Sequence, residues 1–335
     1  MKKRVIFKII VWIAVGVVIS DLAYRYGFEL LEIPTSSMEK SIYAGEYVLV
    51  NKLIPGPRFF SNNPEKYRRW RVNREPRYNE VVVFNFPEAD TVLANRPGES
   101  YYLLKRQHPN YRDSLKKEFW GETIPLKVNR RPRMLKRLKG LPGDTILIAQ
   151  GKLFINSRPA VEAGTSVSSW QWRGSHDEFN WFVEQNNIAQ TPITRNNRYF
   201  LKLSLNEMEE MAAPAELLTR DVMRRGIPDP HVFPFKRNLG WNSDNMGPVY
   251  LPRAGETIEI NPGNIHFYRR MIEVFENTPI EVKGNYLFSN NIPISRYTFK
   301  MNYYWVHGDN RPHSFDSRYW GAVPENHLVG VVMRR

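Results

Sequence analysis

The chain contains no cysteine. That removes thiol nucleophiles, cysteine-containing metal sites and disulfides together. A domain outside the cytoplasm built from this sequence needs no covalent staples. The seven histidines show neither an H-E-x-x-H pattern nor any other clustered ligand spacing, so no metal and no cofactor is expected. Internal repeats and low-complexity tracts are missing as well.

Long apolar runs are scarce. Only the start, "MKKRVIFKIIVWIAVGVVISDLAYRYG", is apolar over enough length to cross a membrane. Ile9–Ile19 carries no charge, and adding Val5–Phe7 and Leu22–Tyr24 gives about 20 positions, enough for one span with Lys8 snorkelling at its edge. A cleaved secretory leader is the alternative. No convincing small-x-small site follows the run, which favours a retained anchor. With Lys2, Lys3, Arg4 and Lys8 in front, residues 1–4 are expected in the cytoplasm, 5–24 in the membrane and 25–335 outside.

Basic residues are in excess: 48 Lys and Arg against 34 Asp and Glu, a formal charge of +14 over 335 residues. They crowd Arg58–Arg77 and Arg130–Gly140. No helix-turn-helix, zinc-finger or RNP-like pattern accompanies them, so nucleic acid is not the expected partner. An anionic membrane surface fits better, because the N-terminus points the same way.

The rest reads as short strands. "YVLVNKL" (47–53), "EVVVFNFP" (80–87), "DTILIAQGKLFIN" (144–156) and "PIEVKGNYLFSN" (279–290) are β-branched runs, the last two with Gln150-Gly151 and Gly284-Asn285 where hairpin turns belong. Ser204-x-x-Glu207 has capping-box spacing and predicts a helix over "SLNEMEEMAAPAELLTRDVMRR", kinked or split by Pro214. A second helix is expected over 264–277, with Ile265, Tyr268, Ile272 and Phe275 on one face. Stretches 88–130 and 161–250 have weak periodicity and read as insertions or a satellite. Trp70, Trp170, Trp172 and Trp181 are packing residues or membrane-interface anchors.

Three segments carry candidate chemistry. In "IPTSSMEKSI" (33–42), Ser37-x-x-Lys40 has the spacing of a penicillin-recognising acyl-enzyme, and Ser243-Asp244-Asn245 matches a second element of that class, but no K-T-G follows. Lys136, in "MLKRLKGLPGDTILI", stands among apolar residues. Burial there would lower its pKa and yield a neutral amine able to deprotonate a serine; a solvated lysine in a basic run is the plain alternative. In "GDNRPHSFDSRYWGAVP" (308–324), Ser314, Asp316 and Arg318 share one side if the chain is extended. Asp316 and Arg318 would then tie down a loop, or Ser314 would aim a lysine amine. His313 is a candidate supporting group or a surface residue.

Taken in order behind an anchor, "IPTSSM", "KRLKGLPGD" and "GDNRPHSFDSRYWGAVP" resemble the three boxes of bacterial type I signal peptidase, a membrane-anchored serine–lysine protease. The resemblance covers roughly a third of the chain. It implies a mainly β, antiparallel-sheet catalytic domain with one N-terminal transmembrane helix and α/β insertions, facing outward from the bacterial cytoplasmic membrane. It further implies cleavage of signal peptides from preproteins, by a chain expected to act as a monomer. Position by position it makes Ser37 the nucleophile, Lys136 the general base and Ser314 the group that orients the lysine. Thr35 joins the backbone N–H of Ser37 as oxyanion donor, and Asp309, Asp316 and Arg318 are supports. Ile33, Pro34, Val83, Phe84 and Leu135 fall where the family lines pockets for residues before the cut. Departures are Glu39-Lys40-Ser41 after the Ser-Met, Pro312-His313, and Lys139 in place of an apolar residue. Lys139 and Lys40 are expected to touch membrane or leader peptide.

Overall fold

A computed structural model describes residues 2–60, 67–70, 74–108, 110, 118–188, 193–195, 198–211 and 217–333. Helix α1 (Lys2–Leu22) continues as one wide turn (Ala23–Gly27) into the first strand. Its side chains are exposed from Arg4 to Leu22, and it is the one helix among the described residues long and apolar enough to cross a bilayer. Twenty-one residues at about 1.5 Å each span roughly 30 Å, the thickness of a hydrocarbon core.

Strands β1 (Phe28–Glu32), β2 (Tyr47–Asn51), β3 (Val81–Asn85) and β4 (Arg133–Gly140) lead into the hairpin β5 (Thr145–Ala149) and β6 (Lys152–Ile155). Then come β7 (Val167–Trp172), α2 (His176–Gln185), β8 (Arg198–Ser204), α3 (Leu205–Glu210), β9 (Leu218–Arg220) and β10 (Met246–Tyr250). The remaining labelled elements are α4 (Ile265–Arg270), β11 (Tyr303–His307), α5 (Ser317–Trp320), β12 (Val323–Pro324) and β13 (Leu328–Met333).

Seven of these strands form the main sheet in the order β1-β2-β13-β3-β4-β11-β12, and every neighbouring pair is antiparallel. One strand in from the edge, β2 alternates: Val48 and Val50 point in, Tyr47 and Leu49 out. In the middle, β3 is buried throughout because apolar layers cover both of its faces. The period-2 rule divides those layers. Val81 and Val83 enter a cluster with Ile33, Met38 and Leu135, whereas Val82 and Phe84 enter one with Leu138, Tyr304, Val306 and Trp320. On β11, Tyr303 and Trp305 face the largest cluster, built with β5, β10 and α4, and Tyr304 and Val306 face the second.

Around the body, β7, β8, β9 and Ile193–Arg195 form a separate four-stranded sheet. With α2 it encloses its own core of Trp172, Phe179, Phe182, Leu201, Leu203 and Leu218. The stretch 88–130 packs Leu93, Leu104 and Trp120 together.

Both expected hairpins form. Gln150 and Gly151 take the positive φ their turn requires (50° and 70°), as does Gly284 at 59°. The capping box at Ser204 is complete, and Ile265, Tyr268, Ile272 and Phe275 are all buried. One expectation fails. The helix begun at Leu205 ends at Glu210, and Leu218–Arg220 is a strand paired to β7. Exposed ladder groups on β7 outweigh the helical pattern there. Pro214 lies outside the described residues.

Of the four tryptophans, Trp172 packs inside, Trp170 is half-buried, and Trp70 and Trp181 are exposed. The basic runs also change meaning. Lys136, Arg137 and Lys139 are inside the protein, and Arg69 donates to the carbonyls of Gly56, Glu325 and Leu328. Arg68, Arg77, Arg130 and Arg133 of the same runs stay exposed.

Candidate active site

Ser37 sits in a single tight turn, Ser36–Met38, inside the loop between β1 and β2. Ile33 and Glu46 close that loop by a backbone bond of 2.9 Å. Met38 anchors the turn in the Ile33–Leu135 cluster. The segment after β11 then grips it: the N–H of Asn310 donates to Ser37 O at 3.0 Å, the Asn310 amide donates to Ser36 O and Glu39, and the N–H of Asp309 meets Met38 Sδ at 3.4 Å. Backbone approach this close leaves no space for a side chain at Gly308. A Cβ there would lie 2.1 Å from Ser314 Oγ and 2.6 Å from Ser37 O.

Lys136 comes from the centre of β4, opposite Val82 on β3. It is 2% exposed. Its Nζ lies 2.5 Å from Ser37 Oγ, across 99 residues of sequence, and donates to Leu135 O at 3.1 Å. Burial drives its pKa down to about 8, against the opposing pull of Asp316 and Asp309. Thr35 Oγ1 lies 3.4 Å from Ser37 Oγ.

Beside the pair stand two buried ion pairs. Arg137, one residue past Lys136, holds Asp309 Oδ1 at 2.7 Å and also engages Oδ2. Ser41 donates to the same carboxylate and meets Thr165 of the satellite. Burial alone would raise the Asp309 pKa, but the Arg137 guanidinium brings it below the ordinary value. Asp316 accepts from Ser314 Oγ at 2.7 Å, from the N–H of Gly308 at 3.1 Å, and from Arg318 Nε at 2.9 Å and Nη2 at 3.0 Å. Despite burial, the charge of Arg318 keeps that carboxyl ionised well below the usual range. His307 is buried behind them. Trp305 Nε1 lies 2.8 Å from its Nε2 and Arg311 Nη1 2.7 Å from its Nδ1. Burial and the charge of Arg311 push its pKa well down, so the ring stays neutral.

Comparison with known proteins follows the same lines. The signal peptidase, peptidase S26, family model matches residues 6–237 and 254–335. The chain belongs to that family. Signal peptidase I of Buchnera aphidicola subsp. Schizaphis graminum (strain Sg) is 44% identical over 91 residues, 24% of this chain and 29% of the relative. That of Buchnera aphidicola subsp. Baizongia pistaciae (strain Bp) is 24% identical over 306 residues, 91% of this chain and 68% of the relative. The protein of the same name from subsp. Acyrthosiphon pisum (strain APS) is 31% identical over 102 residues, 30% of each chain. Two of these three matches therefore span less than a third of the relative's length. The mainly β fold and the N-terminal apolar helix are those of this family of peptidases.

The structure brings Ser37, Lys136, Thr35, Ser314, Asp316, Arg318 and Asp309 into one neighbourhood, but with three corrections. Ser314 donates its hydroxyl to Asp316, and among the described residues no hydrogen bond joins it to Lys136. Nor is the 314–318 segment extended, because Asp316 caps the short helix α5, and this turn gathers Ser314 and Arg318 around its carboxylate. Phe84 is turned by strand alternation into the Trp320 cluster, away from Ile33, Val83 and Leu135. Of the remaining pocket candidates, Ile33, Val83 and Leu135 share one cluster and Pro34 is exposed.

The other lysines have different partners. Lys40 pairs with Glu207 of α3 rather than with Ser37. The turn Ser243-Asp244-Asn245 bonds Met223 and Gln150, not the Ser37 loop. Lys139, expected at the membrane or leader peptide, is buried and held by Asn79 Oδ1, Val161 O and Glu162. His313 is exposed beside Lys202. Residues not singled out from the sequence are Arg137, Ser41 and Asn310. Their signal was position: Arg137 and Asn310 lie within the quoted boxes, next to assigned residues.

Proposed function

We propose that this chain is a single-pass membrane endopeptidase that removes signal peptides from preproteins through a Ser37–Lys136 dyad. The observation that carries the reading is the 2.5 Å approach of a buried Lys136 amine to Ser37 Oγ. An amine with its pKa near 8 is neutral in a usable fraction of molecules at physiological pH, and a neutral amine is a base.

Neutral Lys136 takes the Ser37 proton as Oγ attacks the carbonyl before the cut. The tetrahedral oxyanion is held by the N–H of Ser37 and the Thr35 hydroxyl; such donors typically contribute about 3–4 kcal/mol to barrier reduction. Collapse breaks the peptide bond, and the lysine returns its proton to the departing amine. A water then attacks the acyl ester, losing its proton to Lys136; Lys136 returns that proton to Ser37 Oγ as the C–O bond breaks, and the signal-peptide carboxylate leaves. Asp309–Arg137 and Asp316–Arg318 hold the 308–318 segment that grips the nucleophile turn, and Ser314 acts through Asp316.

The helix α1 anchors the domain with the N-terminus in the cytoplasm, and the cations of its first turns contact the anionic lipid surface. Ser37 lies 13 positions beyond Tyr24, a reach of at most ~45 Å. The nucleophile stays near the membrane, where signal peptides emerge, and the chain acts as a monomer without a cofactor.

The test is cleavage of a secretory preprotein by the purified full-length chain. Ser37→Ala and Lys136→Ala are each expected to lose activity by at least about 10³-fold, the scale seen when a nucleophile or its base is removed. Lys40→Ala retains it within about two-fold. Full activity in Lys136→Ala overturns the dyad, and loss in Lys40→Ala alone restores the Ser-x-x-Lys reading.

A further inference from the structure

A groove of about 750 Å³ separates the nucleophile loop from the satellite sheet, within the roughly 300–1,000 Å³ that ligand clefts occupy. Its near wall is Glu39, Lys40 and Asn310; its far wall includes Phe200, Lys202 and Glu210. It begins two residues past Ser37, and Asn310 is the same residue that holds Ser37 O. No residue of the Ile33–Val83–Leu135 cluster lines it. The groove therefore borders the nucleophile turn on residues distinct from the cluster assigned to residues before the cut.

Two further observations point to a peptide. Asn310 is buried at 2% exposure, yet its Oδ1 takes no hydrogen bond from the described residues. Its amide nitrogen is already spent on Ser36 O and Glu39, so Oδ1, buried behind the groove lining, is an acceptor that the described residues leave unused. The lining also has a sign, with Glu39, Glu207 and Glu210 facing Lys40 and Lys202. Lys40 is neutralised by Glu207, Lys202 meets His313, and Glu210 stands exposed on the far wall.

We infer that this groove receives the substrate segment after the scissile bond, the first residues of the mature chain, and disfavours acidic residues there. The inference rests on the protease reading. It makes the satellite sheet a specificity element, with Lys202 and Glu210 setting its charge preference.

The experiment uses the full-length protein and preproteins identical up to the cut. They differ only in the second to fourth residues after it: neutral, lysine-bearing or aspartate-bearing. At low ionic strength, kcat/KM for the lysine series is expected to exceed that for the aspartate series about three- to ten-fold, the range of a few partly screened charge contacts. Glu210→Lys removes or inverts the ratio, Lys202→Glu widens it, and neither changes cleavage of the neutral substrate more than about two-fold. A wild-type ratio of one, or a ratio unmoved in both variants, overturns the groove while leaving the protease intact. Failure to cleave any of the three overturns the protease reading and this inference with it.

Discussion

The body around Ser37 and the satellite sheet are both antiparallel β structures over apolar cores, yet they are assembled differently. In the body, decisive contacts join residues far apart in the chain: Lys136 to Ser37 across 99 positions, Arg137 to Asp309 across 172 and Ser41 to Asp309 across 268. In the satellite, Trp172 stacks on Phe182 and Phe179 on Tyr199, close in sequence and without a buried ion pair among these rings. The body adds buried ion pairs to its aromatic clusters, whereas the satellite core is built of aromatic and aliphatic side chains alone. A buried charge demands its one partner, so the body tolerates little change. An aromatic cluster can repack, so the satellite can vary while keeping its place beside the groove.

The comparison can be broken at its strongest point first. Arg137→Ala strands the Asp309 carboxylate in the interior and is expected to destabilise the whole body by about 3–5 kcal/mol, read as a lower midpoint in denaturant unfolding. Little change would mean that the buried pair adds nothing to the fold.

Phe182→Ala opens a cavity under α2. About 3 kcal/mol of local stability should go, with faster amide exchange over 167–220 and unchanged protection in β3 and β4. Exchange rising equally in both regions would merge them into one cooperative unit.

The smallest effect concerns protons. If Lys136 is the base, cleavage rises as its amine deprotonates, about five-fold between pH 7 and pH 8, and levels off above. The folded value of about 8 for both Lys136 and Lys139 lies below the ordinary 10.5. The unfolded chain therefore binds more protons between those values, and stability climbs with pH across that window. A rate that is flat from pH 6 to 9 would remove Lys136 from proton transfer.

The same division decides what was legible in the sequence. Boxes in the body could be read because the three, taken in order, resemble the signal peptidase pattern, and that resemblance is what makes Ser37, Lys136, Asp309, Asp316 and Arg318 stand out. Strands such as 47–51 and hairpins such as 145–155 were legible from local pattern, since turn chemistry at Gln150-Gly151 and alternation are short-range effects. What could not be read was choice among partners. Ser314 has a lysine and a carboxylate within reach of its box, and only the turn at α5 decides for Asp316. Phe84 and Val83 look equally suited to a pocket wall until strand register sends them to opposite layers. The basic run 133–140 looked like surface charge because a central strand with buried cations has the composition of an exposed one. Leu218–Arg220 went astray because a neighbouring strand edge outranked the local pattern.

The place of β13 in the sheet has a consequence in time. It is inserted between β2 and β3, two strands made long before it, and the 308–318 segment that fixes Ser37 is also synthesised late. A nascent chain carrying both Ser37 and Lys136 still lacks the strand that unites the halves of its sheet and the segment that grips Ser37. Closing such distant pairings is slow. The gathering of Ser37 and its surroundings is therefore a late event in folding, complete only once residues 308–333 have joined the sheet.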